Sequence, residues 1–105
     1  AEALELDAQS SSAWQMAGDR YLEAYRKTNS PHDLEQAIGA LRKSIELYPN
    51  DATARAKYAL ALLKSGNLAE AKKQAKIALE LDLLTPHADK KIPKSLRQRL
   101  IETCD

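Results

Sequence analysis

The sequence predicts an all-α fold, and three observations carry that prediction. Ala (18) and Leu (16) supply 34 of the 105 residues, Phe and Val are absent, and aromatics reach only 5%. Pleated sheets select β-branched and aromatic side chains, whereas helices select Ala, Leu, Lys, Arg, Glu and Gln. Apolar residues also recur at helical spacing: Leu34, Ala37, Ile38, Leu41, Ile45 and Tyr48 step by three, one, three, four and three. Finally, a short word repeats. Ala3-Leu4-Glu5-Leu6-Asp7 returns unchanged as Ala78-Leu79-Glu80-Leu81-Asp82, with a degenerate copy at Ser44-Ile45-Glu46-Leu47-Tyr48. The offsets are 41 and 34 residues, the scale on which helix–turn–helix units stack. An Ala-rich core further implies closely packed helices.

Each element follows in order. Residues 1–10 read as the last half of a helix, with Leu4 and Leu6 only partly buried. This implies an excised or terminal piece of a longer array. A long helix is expected from Ser12 to about Lys27, because Tyr25 follows Tyr21 at helical spacing. A loop insertion is the alternative. Ser30-Pro31 supplies an N-cap and an N1 proline for the next helix. Pro49 and Asp51 close that helix and open another. Gly66, just past Lys64-Ser65, reads as a left-handed stop. Asn67 with Glu70 reads as a capping-box-like start for a helix carrying Leu68, Ala71, Ala75 and Ala78 on one stripe. A last short helix should begin near Pro93. Ile92, Leu96, Leu100 and Cys104 fall four apart on one face of it, as in a polar-backed helix that closes the end of a solenoid. A basic amphipathic helix for a membrane or partner is the alternative reading.

Trp14-Gln15-Met16-Ala17-Gly18-Asp19-Arg20-Tyr21 resembles the tetratricopeptide repeat pattern Trp-x2-Leu-Gly-x2-Tyr, with Ala17 in place of Leu. Ala37, Leu41 and Pro49 match its later steps. A second copy carries Tyr58-Ala59 and Leu62, then Ala71, Ala75 and Ala78, but Arg55 stands where Trp would be and Leu83 where Pro would be. The resemblance implies a right-handed superhelix of antiparallel helix pairs with a C-terminal capping helix. It divides the chain into the end of a truncated repeat (1–10), a repeat with a seven-residue extension (11–51), a repeat (52–85), and a linker with capping helix (86–105).

Composition and motifs narrow the function. No apolar run approaches the ~20 residues of a membrane helix, and the first residues lack the features of a signal peptide. The segment is compatible with the cytoplasm, though the sequence fixes no compartment. Cys104 is the only cysteine, and His32 and His87 have no metal-ligand partners at helical spacing. Gly18, Gly39 and Gly66 build no phosphate loop. No catalytic constellation, cofactor site or metal site is expected, and an enzyme is not. The formal net charge of +1 hides a net of −4 over residues 1–51 and +5 over residues 52–105. Lys72, Lys73, Lys76, Lys90, Lys91, Lys94, Arg97 and Arg99 make the second half basic, but its one aromatic, Tyr58, is expected in the core. Nucleic acid is therefore not expected.

The resemblance implies a protein–protein interaction module, the C-terminal repeats of a larger scaffold or enzyme. Its first helices would line a groove for a peptide or a partner helix. By spacing, that face includes Ser12, Gln15, Met16, Asp19 and Leu22, then Ala56, Lys57, Leu60, Leu63 and Lys64. On this reading Leu60→Asp and Leu63→Asp spare folding and abolish partner capture. Gln15 and Asp19 stand where the family's carboxylate clamp has Lys and Asn, so no such clamp is expected. Self-association through the N-terminal edge is the alternative function, with a basic nucleic-acid surface behind it.

Overall fold

The computed structural model describes residues 11–84 and 92–104. Within them the chain is all helix and turn: α1 Ser11–Thr28, α2 Pro31–Leu47, α3 Ala52–Lys64, α4 Leu68–Leu84 and α5 Lys94–Cys104. The segment at Leu4 and Leu6, and His87 with the linker up to Lys91, lie outside the described residues. The chain divides into two compact units, residues 1–49 and 50–105.

In the first unit α1 and α2 form a hairpin packed along its length. The extra length is taken up as helix as far as Thr28, where α1 ends. Asn29 ends it with φ 58°, and its N–H donates to the Tyr25 carbonyl at 2.7 Å. Asn tolerates the left-handed conformation better than most side chains. Ser30 is the N-cap of α2, yet its side chain makes no capping hydrogen bond. Thr28 secures the turn instead. Its hydroxyl lies 2.9 Å from the Ala24 carbonyl and 2.8 Å from Asp33 Oδ2, and accepts the Ser30 N–H at 3.2 Å. Asp33, in the first turn of α2, also sits at the positive end of the helix dipole.

The buried stripe of α2 is Leu34, Ala37, Ala40, Leu41 and Ser44. Ile38 and Ile45 flank it half-buried, and Tyr48 is exposed. Tyr48 leaves the stripe because Pro49 follows it. A residue before proline is pushed out of the α region, and Tyr48 has φ −143° and ψ 85°.

Gly18 is a point of close approach between α1 and α2. A Cβ there would stand 2.7 Å from Leu41 Cγ and 2.8 Å from Leu41 Cδ2, and Leu41 is fully buried. Gly18→Ala gains about 1 kcal/mol of helix propensity but overpacks a core leucine, at about 1–3 kcal/mol. A net loss of about 1 kcal/mol is expected in urea denaturation. In a Leu41→Ala background the clash is gone, and Gly18→Ala should then be neutral or stabilising. If Gly18→Ala stabilises the parent chain by the propensity amount, the close approach is not there.

In the second unit α3 and α4 form a hairpin with a three-residue turn, and α5 packs on both. Asp51 caps α3 by accepting the Ala54 N–H at 3.1 Å. The end of α3 is a Schellman turn: the Asn67 N–H reaches the Leu62 carbonyl (3.0 Å) and the Gly66 N–H reaches the Leu63 carbonyl (3.1 Å). That geometry requires the left-handed φ of 90° at Gly66. Asn67 then starts α4, its side-chain oxygen accepting the Glu70 N–H at 3.4 Å. Leu68 sits at this turn and stays exposed, so the buried stripe of α4 begins at Ala71 and runs through Gln74, Ala75, Ala78 and Asp82. The core joins Ala52, Ala56, Ala59 and Leu60 of α3, Ala75 and Ala78 of α4, and Ile92 and Leu100. Leu63, Leu79, Leu81, Leu96 and Cys104 pack against its edge. Alanine at the helix contacts lets three helices share one thin core.

Candidate functional site

The face expected from the first helices divides sharply. On α1, Met16 and Asp19 are exposed while Gln15 and Leu22 are half-buried. Met16 is 56% exposed, and Asp19 lies one turn on. On α3, Lys64 is exposed, and Lys57 and Leu63 are half-buried. Ala56 and Leu60, however, are core residues. Ala56 has no exposure, and Leu60 packs with Ile92 and Leu100. The expectation that these two line an open groove is thus corrected. The reason is α5: it lies on α3 as well as on α4, and so covers the face that helical spacing alone leaves free. Leu63 sits at the margin of the same cluster.

Arg55, in place of the family's tryptophan, is held by polar contacts. Its Nη1 donates to Gln74 Oε1 at 2.7 Å, and Gln74 Nε2 donates to Glu70 Oε1 at 3.0 Å. Gln74 is buried, so both ends of its amide need partners, and this arrangement gives each one. The guanidinium therefore bridges α3 to α4 where an indole would pack.

Sequence reasoning missed one residue outright. Asp82 is 1% exposed. Its Oδ1 accepts the N–H of Ile92 at 2.8 Å, and its Oδ2 lies 3.3 Å from Arg97 Nη2. A single carboxylate thereby ties the end of α4 to Ile92, two residues before α5, and to the first turn of α5. The signal was present, since Asp82 continues the stripe Ala71, Gln74, Ala75, Ala78 at helical spacing.

Among the described residues no group of three or more His, Cys, Asp or Glu side chains could hold a metal ion. None of the described helices is long and apolar enough to cross a membrane. His32 is exposed on the first turn of α2, and Cys104 is a half-buried residue at the core's edge.

A family model described as tetratricopeptide repeat matches residues 30–90. The match spans α2, α3 and α4 and leaves the Trp14–Tyr21 motif of α1 outside it. No curated protein matches the chain. The matched stretch covers more than half of the sequence, and it takes in the α3–α4 hairpin, the small-residue stripes of α2 and α4 and the turn at Gly66. The chain belongs to the tetratricopeptide repeat family, an all-α family of helical repeats whose members generally mediate protein–protein interaction.

Proposed function

We propose that this chain is a binding module that holds a peptide or a partner helix on the exposed faces of its first helices. Residues 11–51 and 52–85 are taken as its two repeats, and α5 as the helix that closes the second. The observation that carries the reading is Met16. A flexible, polarisable thioether held in water on a helix surface is suited to adaptable apolar contact. Asp19 beside it, with Gln15 and Leu22 at its flanks, supplies polar direction. In the second unit only Lys57 and Lys64 remain as candidates on α3, with Leu63 at the margin, because Ala56 and Leu60 serve the core. Asp19 disfavours a bare carboxylate at the α1 face.

The test is selection of binders from a displayed random peptide library against the 105-residue chain, followed by titration against variants. Met16→Asp should weaken the selected peptides about tenfold or more. Its melting curve should not change, since the side chain is already in solvent. Peptides that bind the parent and Met16→Asp alike would remove the α1 face from the proposal.

A further inference from the structure

The second unit carries another surface, on the side of α4 and α5 away from their shared core. Between the two helices opens a shallow groove of about 540 Å³ lined by Leu79, Leu83, Lys94, Arg97, Gln98 and Ile101. Its apolar part is aliphatic and wet: Leu83 is 73% exposed and Ile101 42%. Leu84, next along α4, is exposed as well. Leaving this much aliphatic surface in water is unfavourable unless a partner covers it.

The charged side chains that line the groove are cations. Lys94 and Arg97 stand on the α5 side, and no carboxylate lines it. Lys72 and Lys76 precede Leu79 by seven and three residues, so helical spacing puts both on the face of α4 that carries Leu79 and Leu83. Both lysines are exposed. Two carboxylates of α4 stand nearby: Asp82 is buried and held by the Ile92 N–H and Arg97, and exposed Glu80 lies three residues before Leu83, where the three lysines Lys72, Lys76 and Lys94 outnumber it. Arg97 reaches from the groove wall toward Asp82.

We infer that this α4–α5 groove docks an acidic amphipathic helix of a partner protein, its leucines entering between Leu79, Leu83 and Ile101 and its carboxylates meeting Lys72, Lys76 and Lys94. Charge complementarity selects the acidic partner. The recessed shape selects a projecting side chain over a lipid surface, which needs apolar groups that protrude. The absence of an aromatic side chain among the lining residues selects against stacked bases. The surface belongs to other helices than the α1 face and stands or falls separately from it.

The experiment uses the full chain and two fluorescent peptides with capped ends. One is built of Leu, Ala and Glu with leucines at helical spacing, and its twin has Lys for Glu. The Glu peptide should bind saturably, more weakly as salt rises, and about tenfold or more tighter than its twin. Leu83→Asp and Lys94→Glu should each weaken it about tenfold, with unchanged far-ultraviolet circular dichroism, because both positions are exposed. Met16→Asp should leave it unchanged. The inference is overturned if the two peptides bind alike, if no binding is seen, or if either groove variant binds as the parent does. It is also overturned if phosphatidylserine vesicles or a single-stranded oligonucleotide bind tighter than the Glu peptide and lose that binding in Leu83→Asp.

Discussion

Leu60→Asp should unfold the second unit. Leu60 is 7% exposed and sits among Ala56, Ala59, Ala75, Ala78, Ile92 and Leu100. Removing the leucine side chain alone costs about 2–5 kcal/mol in a core of this kind. The aspartate adds the desolvation of a carboxylate with no cation within the cluster, or the free energy of protonating it. The sum approaches or exceeds the whole stability of a small domain, about 5–15 kcal/mol. The expected result is loss of the cooperative melting transition, followed by circular dichroism, with helical signal reduced at 25 °C. Leu63→Asp should cost less, because Leu63 is half-buried at the core's edge. A Leu60→Asp chain that melts like the parent would return Leu60 to an open, partner-facing position.

Residue 60 also shows where the sequence stops being informative. Periodicity places Ala56, Leu60 and Leu63 on one face of α3 and says nothing of what covers that face. Coverage is decided by α5, whose own apolar stripe of Ile92, Leu96, Leu100 and Cys104 was legible, while its landing place was not. Turn chemistry was more legible because it is local. Gly66 acts through its own backbone, Asp51 and Asn67 through side-chain oxygens that accept an N–H three residues on, and each does what its type and position imply. Ser30 is the instructive exception. Its residue type fits a cap, yet the hydroxyl of Thr28, two residues earlier, takes over the turn by also reaching Asp33 across the hairpin. At Arg55 the family pattern marked a departure, but the repair depends on Gln74 and Glu70 one helix away. The helices and their stripes come from short-range pattern. The burial of Asp82 and the groove beside Leu83 come from where α5 docks, which no short window of sequence encodes.

That docking has a test at Asp82. Replacing it with Ala removes the acceptor of the Ile92 N–H, and Ile92 is itself buried, so a donor is left without its partner in an apolar setting. Such an orphaned group costs about 1–3 kcal/mol. The ion pair adds less, because Arg97 is 43% exposed and can return to water, so its contribution is discounted toward that of a surface pair. A loss of about 2–3 kcal/mol follows. Asp82→Asn separates the two contributions. It keeps a side-chain oxygen for the Ile92 N–H and gives up the charge facing Arg97, so it should cost about 1 kcal/mol or less. The loss should also be local. Hydrogen exchange in Asp82→Ala is expected to accelerate along α5 and at Ile92, while α1 and α2, in the other unit, keep their protection. Exposing Ile92 and Leu100 this way would further break the groove wall at Arg97, so the same variant should lose the Glu peptide along with α5 protection. Equal destabilisation by Asn and Ala would place the effect in the ion pair, and unchanged exchange along α5 would show that Asp82 does not hold that helix in place.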